Sequence, residues 1–567
     1  MTLQIDDKRQ AILDCQTNMI VLGGPGSGKT TIALVKADKE ISSLNKHQKI
    51  LFLSFARATV ARVQESASQS ISKDNLKRIE VNTYHGFFWN ILKSHGYLIS
   101  SISPLALINP ADAAVKMSHL KADERHQEFV RIFDDEGIIG FDLFAQKVKE
   151  IFTKSKKLKE IFSRAYPIII VDEFQDTNSD EWDVIKLLGQ GSRIIALADA
   201  DQRIYEFREA DPARIGQFMT QFTPQSFDFG NENNRSNGTD ITIFGNDLLI
   251  GANATKTYTN VLVVNCPYYK NKHEMFPLKT NLLSAIGRLK EQGQWSIAVL
   301  VPTKKQMLTA SNYLSSTKDN LPVLSHDVAI DAEGPTLAGS LFASLMEKHD
   351  NIESLTILIA TKVINYIRGK NGAKPPALAD LTIAASIEKY LQTKKRKPKI
   401  LTEIENVASA RIALTFSGNP LEDWMVCLKS FADIVTQKNL VSLQEDSRYV
   451  RLLHKGSQLR EALSGAWRAN RFYKDAETLY QNAIQQENFS STVKPFSGIH
   501  VMTIHKSKGK QFDEVFIYEG YRQGRIVSNP NDQGRVAQAR LTLRVGVTRA
   551  QKRATILTPS GNRCELL

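Results

Sequence analysis

The chain has 567 residues, of which 42% are hydrophobic and 23% are charged, the composition of an ordinary soluble globular protein with about four domains. Lys and Arg outnumber Asp and Glu by 73 to 60, and the resulting charge of +13 slightly favours a polyanionic partner such as nucleic acid over an inert basic surface. The four cysteines form no C-x-x-C pair, which excludes a disulfide framework and a zinc site and favours the cytoplasm. The N-terminus is too polar for a signal peptide and the apolar runs are too short for a transmembrane helix, so no membrane partner is expected.

Short apolar runs that precede turns or helices dominate the first part of the chain. The segment NMIVLGGPGSGKT predicts a buried strand, a glycine-rich turn and the start of a helix. Further strands are predicted in KILFLSFARATVARV, YPIIIVDEF and SRIIALADADQ. Strands that alternate with helices in this way indicate a parallel α/β sheet.

The second part of the chain repeats this organisation after a helical interruption. The segments TNVLVVN and WSIAVLVPT predict new strands, and the pattern returns at IHVMTIHKSKGKQFDEVFIYEG. The fold class is therefore predicted as α/β, with two parallel sheets that each carry a helical insert. The predicted boundaries are 1–100 and 161–228 for the first α/β part, 101–160 for its insert, 229–325 and 491–567 for the second α/β part, and 326–490 for its insert.

A glycine-rich segment between the first strand and its helix matches G-x-x-x-x-G-K-T. It consists of Gly23, Gly24, Pro25, Gly26, Ser27, Gly28, Lys29 and Thr30. Backbone N–H groups of such a loop can wrap phosphates, and the helix N-terminus adds a positive dipole. Lys29 is expected to reach the β- and γ-phosphates and Thr30 to hold Mg²⁺, so ATP and Mg²⁺ are the predicted cofactors.

Two acidic residues, Asp172 and Glu173, follow the apolar run PIIIV. A strand end beside the phosphate loop is where a carboxylate that binds Mg²⁺ belongs, which makes Asp172 the metal candidate. Glu173 is expected to polarise the attacking water. Considered alone, the pair could also serve as helix caps.

Four segments resemble motifs of superfamily 1 helicases of the UvrD, Rep and PcrA type. VDEFQDTN resembles their acidic motif, ADADQRIYEFREAD the motif after it, and LSFARA and TYHGFF two short DNA-contact motifs. Their order along the chain also matches, and the resemblance covers 1–240 and 490–567 but is weak over 326–490. It implies two RecA-like P-loop domains with ATP in the cleft between them.

The resemblance also implies roles for residues of the first part. Gln202 would sense the γ-phosphate, and Gln175 would couple the nucleotide state to DNA contacts. The residues that would contact DNA are Phe55, Tyr205 and Phe207 through bases, Thr83 and His85 through the backbone, Arg57, which replaces a usual Asn, through a phosphate, and Arg208, which would link this track to the ATP site.

In the second part, NENNRSN and RVGVTRAQKRA resemble the motifs that carry two arginine fingers, here Arg235 and Arg549. A permanently charged guanidinium can stabilise the charge on a transferring phosphoryl group. The segment Val501–Phe516 resembles a further motif, in which Thr503 and His505 would touch DNA and Gly509 the nucleotide.

The sequence departs from the family where the base and sugar of the nucleotide would lie. Asn234 replaces the usual stacking tyrosine, Lys510 and Gln511 replace Leu and Glu, and the adenine-reading candidate Gln10 has unusual spacing. Because the phosphate-binding residues are unchanged, we expect hydrolysis of other purine nucleoside triphosphates as well as ATP.

The leading functional hypothesis is an ATP-dependent DNA helicase that moves 3′-to-5′ on single-stranded DNA and unwinds tailed duplexes. A translocase without unwinding of its own is the second hypothesis. A third is a nucleotide-gated DNA-sensing subunit that regulates a nuclease or repair partner protein, because compact relatives occur beside nucleases in Gabija-type phage defence. The chain ends soon after Arg549, so no appended nuclease is expected, and the basic run Thr393–Lys399 is interpreted as a solvated face or a duplex-binding patch.

Overall fold

The computed structural model describes residues 5–55, 57–199, 211, 213–230, 232–328, 333–372, 374–448, 458–489 and 497–567. The strands of these residues are β1 (Met19–Leu22), β2 (Ile50–Ser54), β3 (Ile79–Thr83), β4 (Ala106–Leu107), β5 (Ile138–Ile139), β6 (Ile168–Val171), β7 (Arg193–Ala198), β8 (Gln225–Asp228), β9 (Val261–Cys266), β10 (Ser296–Val301), β11 (His326–Val328), β12 (Gly498–Thr503), β13 (Phe512–Tyr518) and β14 (Ala550–Pro559).

The helices alternate with the strands in the α/β regions and follow one another elsewhere. They are α1 (Asp7–Asp14), α2 (Lys29–Ile41), α3 (Arg57–Ser70), α4 (Lys73–Leu76), α5 (Tyr84–His95), α6 (Pro110–Lys116), α7 (Ala122–Glu136), α8 (Phe144–Lys154), α9 (Lys156–Ala165), α10 (Ser179–Leu188), α11 (Arg214–Phe222), α12 (Ile241–Ile250), α13 (Phe276–Leu289), α14 (Lys304–Leu314), α15 (Glu333–Met346), α16 (Ile352–Gly369), α17 (Leu378–Thr393), α18 (Lys399–Ala413), α19 (Pro420–Ala432), α20 (Lys438–Ser447), α21 (Gln458–Asn470), α22 (Ala476–Phe489) and α23 (Gln533–Val547).

The chain divides into two compact units. The first comprises Met1–Asn90, Ala145–Ala329 and Ser491–Leu567, and the second comprises Ile91–Phe144 and Ile330–Ser490. Both six-stranded sheets belong to the first unit. The α/β fold class with two parallel sheets is confirmed, whereas the domain boundaries given above stay a prediction.

The first sheet has the strand order β3-β2-β6-β7-β1-β8, and all its neighbours are parallel. Strand β6 has the sequence IIIV and every one of its residues is buried. Such uniformly apolar strands are typical of a parallel sheet that is covered on both faces. The order brings the carboxyl ends of β6, β7 and β1 side by side at one edge.

The second sheet has the order β11-β12-β10-β13-β14-β9 and is also parallel throughout. One of its faces packs against α12 and α23 through a core that includes Phe244, Val515 and Leu543. In this sheet β12 and β13 flank β10, so the segment 504–511 must return from the carboxyl edge to the amino edge.

The second unit is mainly helical. Its core consists of side chains such as Leu341, Phe342, Ile359, Val363 and Trp424, each at most 2% exposed. Strands β4 and β5 form a small parallel pair within it. Among the described residues, no helix is both long enough and apolar enough to cross a membrane.

Candidate active site

The glycine-rich motif predicted to bind phosphate forms the turn between β1 and α2. Gly26 has φ +82°, and Gly28, just before α2, has φ +92°. The Nζ of Lys29 donates to the carbonyl oxygens of Gly23 at 2.6 Å and Gly24 at 3.0 Å. The lysine therefore lies over the same loop whose N–H groups are suited to phosphate.

Strands β6 and β7 bring carboxylates to the edge where this loop lies. Asp172 and Glu173 follow β6, and Asp199 follows β7. Asp172 is 4% exposed, and its Oδ1 accepts a hydrogen bond from the Glu173 N–H at 3.1 Å. Glu173 has φ +53°, a left-handed backbone that costs a non-glycine residue about 1–2 kcal/mol.

Gln175 holds Glu173 in this position. Its Nε2 donates to Glu173 Oε2 at 2.6 Å, and its Oε1 accepts from the backbone N–H of Asp199 at 3.0 Å. Gln175 is 1% exposed, so both bonds lie away from water. The side chain ties the end of β6 to the end of β7.

The two predicted arginine fingers converge on Thr548. The Nη1 of Arg235 donates to the Thr548 carbonyl oxygen at 3.0 Å. Arg549 is 1% exposed, and its Nη2 donates to the Thr548 hydroxyl at 3.4 Å while its Nε donates to the Val545 carbonyl oxygen at 2.9 Å. Thr548 thus connects the two arginines, which are far apart in sequence.

A cavity of 410 Å³ brings the two groups together. The predicted residues that line it are Pro25, Gly26, Ser27, Gly28, Lys29, Thr30, Asp172, Glu173, Arg235, Gly509, Gln511 and Arg549, together with Asn234. Gly23 and Gly24 belong to the same loop without lining the cavity. Gln10 does not line it either, and its amide donates to Asp14 at 2.9 Å.

The charges around the cavity shift one another's proton affinity. Burial lowers the pKa of Lys29 below its usual range, against the opposing effect of Asp199, Glu173 and Asp172. Burial alone would raise the pKa of Glu173, but the cations Lys508, Lys29 and Arg549 hold it below its usual range. Glu173 is therefore an ionised carboxylate at neutral pH, as a general base must be.

Comparison with known proteins agrees with this arrangement. The sequence model of the UvrD/REP helicase N-terminal domain matches residues 5–135 and 103–223. DNA helicase II of Haemophilus influenzae is 23% identical over 268 residues, which are 39% of this chain and 37% of that protein. ATP-dependent DNA helicase PcrA of Leuconostoc citreum is 21% identical over 629 aligned positions, which cover 96% of this chain and 80% of that protein.

Over residues 5–223 the chain is therefore similar to the N-terminal domain of UvrD/REP helicases. The similarity is distant, since its identity to DNA helicase II and PcrA stays between 21% and 23%. In the alignment with the Haemophilus influenzae protein, the chain spans little more than a third of its relative's length.

The predicted DNA-contact residues lie at or just after strand ends on both sheets. Phe55 follows β2 and Thr83 ends β3, and the two strands are neighbours in the first sheet. Thr503 ends β12 in the second sheet, and His505 follows in a short turn. Burial and Lys508 lower the pKa of His505, so its imidazole is neutral at physiological pH.

Arg57 is the first residue of α3. Gln202, Tyr205, Phe207 and Arg208 lie outside the described residues.

Lys508 and Asp176 were missed by the sequence reasoning. Lys508 is 4% exposed, its Nζ donates to Asp176, and it lies 3.8 Å from Glu173 Oε2. Burial raises the pKa of Asp176 to about 7, although Lys508 opposes the rise. Both residues stand inside recognised motifs, but no local pattern indicates that they meet across 332 positions.

Arg544 is a second residue that the sequence reasoning missed. It is 2% exposed, its Nη1 lies 3.6 Å from Asp199 Oδ2, and its Nη2 donates to Asn246 at 3.1 Å. Its Nε has no hydrogen-bond partner among the described residues. It adds a buried cation of α23 beside the end of β7.

We expect Gly26→Ala to weaken nucleotide binding about fivefold or more, because it combines backbone strain with a steric clash. A Cβ at Gly26 would lie 2.4 Å from Asn233 Oδ1 and 2.8 Å from Arg235 Cβ. Titration with a fluorescent ATP analogue measures the change. Gly216→Ala is the matched control, since a Cβ there meets nothing within 4 Å, and equal affinity of the two variants would contradict the prediction.

Proposed function

We propose that this chain is an ATP-dependent DNA helicase or translocase that moves 3′-to-5′ on single-stranded DNA. The observation that carries the proposal is the single cavity lined by Lys29, Asp172 and Glu173 on one side and by Arg235 and Arg549 on the other. This is the set of groups that phosphoryl transfer to water requires. The similarity of residues 5–223 to UvrD/REP helicases supports DNA as the polymer on which the chain acts.

The first sheet would bind the nucleotide and prepare the water. The loop N–H groups and Lys29 would hold the β- and γ-phosphates, while Glu173 would accept a proton from the attacking water. Gln175 positions the Glu173 carboxylate, as its 2.6 Å hydrogen bond indicates.

The donors around the loop fit Mg²⁺. Thr30 and Asp172 line the same cavity and offer the hard oxygen ligands that Mg²⁺ prefers. Among the described residues no cluster of three or more His, Cys, Asp or Glu could hold a metal alone, and Mg²⁺ at nucleotide sites takes its other ligands from phosphates and water. The ion would neutralise charge on the phosphates.

The arginines would couple hydrolysis to movement. Arg235 and Arg549 carry permanent charge, and such fingers contribute about 10³–10⁵ in rate when they meet the transferring phosphoryl group. They lie on segments that pack with the second sheet, so their contact with phosphate would favour closure of the two α/β parts. We propose these parts to be RecA-like domains formed by 1–100 with 161–228 and by 229–325 with 491–567, the remaining segments being inserts.

The DNA track would run along the strand ends that carry Phe55, Thr83 and His85 on the first sheet and Thr503 and His505 on the second. Alternate grip by the two parts would then move the chain along the strand. The residues proposed to stack bases, Tyr205 and Phe207, would complete the track.

Lys29→Ala tests the central step. We expect a loss of DNA-stimulated hydrolysis of roughly 100-fold or more, because the variant lacks the cation beside the phosphates. Phosphate release with and without single-stranded DNA measures it, with Lys93→Ala as a control on an exposed lysine of α5. Hydrolysis that survives Lys29→Ala would overturn the scheme.

Strand displacement on tailed duplexes tests the direction of movement and whether the duplex is unwound. The assay uses the wild type and the two lysine variants named above. Unwinding of 3′-tailed but not 5′-tailed duplexes is the expected result. Hydrolysis without unwinding of either substrate would leave a translocase or a nucleotide-gated subunit that regulates a partner nuclease. Preference for the 5′ tail would contradict the proposed polarity.

Nucleotide selectivity is expected to be relaxed. Asn234 lines the cavity where the family usually has a stacking tyrosine, and its backbone N–H donates to the Gly26 carbonyl oxygen at 2.7 Å. An asparagine offers no aromatic face to a base, so we expect GTP to be hydrolysed as well as ATP. A panel of triphosphates, with Lys29→Ala to exclude a contaminant, measures this, and strict use of ATP would refute it.

Lys508→Met is expected to move the acid limb of the rate–pH profile to higher pH. Lys508 lowers the pKa of Glu173, so without this cation burial raises that pKa and the base is protonated over a wider range. The variant also leaves the buried Asp176 without its cation, which raises the pKa of this carboxyl further, so Asp176 is protonated at neutral pH and titrates as a second group.

The double variant Lys508→Met with Asp176→Asn separates these two effects. It removes the second titrating carboxyl, so an acid limb that remains shifted in the double variant reports on Glu173. Lys552→Met is the matched control, because this half-exposed lysine pairs with Asp513 instead. An acid limb at the wild-type position in the double variant would show that Lys508 does not tune Glu173.

A further inference from the structure

A second concave site lies on the second sheet, apart from the nucleotide cavity. It is a groove of 740 Å³ lined by Tyr268, Glu274, Thr303, Lys305, Gln306, Thr309, Tyr521, Arg522 and Gln523. These residues follow the carboxyl ends of β9, β10 and β13, which are parallel and share one edge. Open parallel sheets commonly bind ligands in the crevice outside the carboxyl ends of their strands.

Gln306 gives this groove an unsatisfied polar group. The residue is only 7% exposed, and its Oε1 has no hydrogen-bond partner among the described residues. A Cβ at Gly524 would lie 2.2 Å from this oxygen, and a Cβ at Gly520 would lie 3.0 Å from Nε2. Glycine at positions 520 and 524 therefore leaves room for the Gln306 amide. A ligand that donates a hydrogen bond would satisfy Gln306 Oε1.

Two tyrosines present aromatic faces at the groove. Tyr268 is 75% exposed and Tyr521 is 39% exposed, with ring centroids 6.3 Å apart. The Tyr521 backbone is held in place, because Asn562 Nδ2 donates to its carbonyl oxygen at 2.8 Å and Arg525 donates to the Asn562 carbonyl oxygen at 2.6 Å. Exposed rings on a fixed loop can stack on a nucleobase of any sequence.

The charged residues of the groove suit a nucleotide. Lys305 and Arg522 are exposed cations, and the N-terminus of α14, capped by Thr303, adds a partial positive charge. Glu274 is an exposed carboxylate, which would repel a phosphate but accept a hydrogen bond from the amino group of a base.

The groove also adjoins the proposed DNA track. Thr503, a predicted DNA contact, pairs in register with Val301 on the neighbouring strand β10. Thr303 and the start of α14 follow Val301 directly. A strand that passes Thr503 would therefore lie on the same edge of the sheet as the groove.

We propose that this groove binds an unpaired nucleobase together with its adjacent phosphate, as part of a single-stranded nucleic acid. The base would stack on the more exposed Tyr268, with the Tyr521 ring beside it at a tilt of 48°. Its amino group would donate to Gln306 Oε1 or Glu274, and Lys305 and Arg522 would neutralise the phosphate. Adenine fits this set best, because its N6 donates and its N7 accepts from the other end of a glutamine amide, whereas thymine has no amino group. This inference rests on the proposed function, since a motor on single-stranded DNA presents unpaired bases.

Fluorescence anisotropy on the full chain, without nucleoside triphosphate, tests the groove. The probes are labelled oligo-dA and oligo-dT strands of about a dozen nucleotides. Tyr268→Ala is expected to weaken oligo-dA binding about fivefold or more, the effect of losing one stacked base. Tyr269→Ala is the matched control, since this neighbour is 43% exposed but packs on Phe276 and does not line the groove.

Gln306→Leu is expected to abolish the preference for oligo-dA over oligo-dT. Unchanged oligo-dA affinity in Tyr268→Ala, or an unchanged preference in Gln306→Leu with a wild-type melting temperature, would overturn the proposal. Free dAMP serves as a competitor: if Tyr268→Ala weakens dAMP binding but not strand binding, the groove serves free nucleotides and the strand proposal fails.

Different measurements would reject the proposed function and the proposed groove. Binding of single strands and DNA-stimulated hydrolysis by the wild-type chain report on the proposed function. The ratio of the oligo-dA affinities of Tyr268→Ala and wild type reports on the groove alone. A wild-type chain that binds DNA and hydrolyses ATP, beside a Tyr268→Ala variant with the same affinity, would therefore reject only the groove.

Discussion

The rest of the site depends on the pairing of buried charges between the two α/β parts. The contact of Lys508 with Asp176 and Glu173 is the main example. The first sheet contributes carboxylates at its edge, and cations from segments of the second α/β part lie against them, with Lys508 only 4% exposed. Buried charges are tolerated only when they are paired. The second part thus supplies the charges that the first lacks, and a triphosphate, which is itself an anion, would compete for the same cations. Under the proposed function, a bound nucleotide would change the relation of the two parts because it would enter this balance of charges.

The groups around Glu173 keep its carboxylate ionised and fixed in orientation. Its left-handed backbone at φ +53° costs free energy, and the Gln175 hydrogen bond together with three cations offsets this cost. A carboxylate held in this way stays ionised and keeps one orientation, the two properties that a base for water requires. The same Gln175 joins the Asp199 backbone at the end of β7. Gln175 therefore provides a short hydrogen-bonded route from the Glu173 carboxylate to Asp199 at the end of β7.

The fold could be predicted, and so could the meeting of the Gly23–Thr30 loop with Asp172 and Glu173 at one cavity, because their signals are local. The apolar run IIIV by itself predicts strand β6. The eight residues from Gly23 to Thr30 by themselves predict a glycine-rich turn followed by a helix. Lys508, Arg544 and Thr548 could not be assigned in this way, because what defines them is a partner from another segment. Their types also gave no signal, since buried lysine and arginine resemble surface residues in a sequence. The groove of Tyr268 and Tyr521 arises from three separate connections and escaped notice for the same reason.

The two candidate binding places lie at opposite ends of the same strands. Gln511 and Arg549, just before β13 and β14, line the nucleotide cavity, whereas Tyr521 and Asn562 follow the other ends of these strands at the groove. Strand β13 has 7 residues, so it spans about 23 Å at 3.3 Å per residue. A strand in the middle of a parallel sheet is stiff, because both its neighbours hold it by backbone hydrogen bonds. A rotation imposed on the amino edge by contact with a nucleotide would therefore reappear at the carboxyl edge as a displacement of the groove, without any flexible element between them.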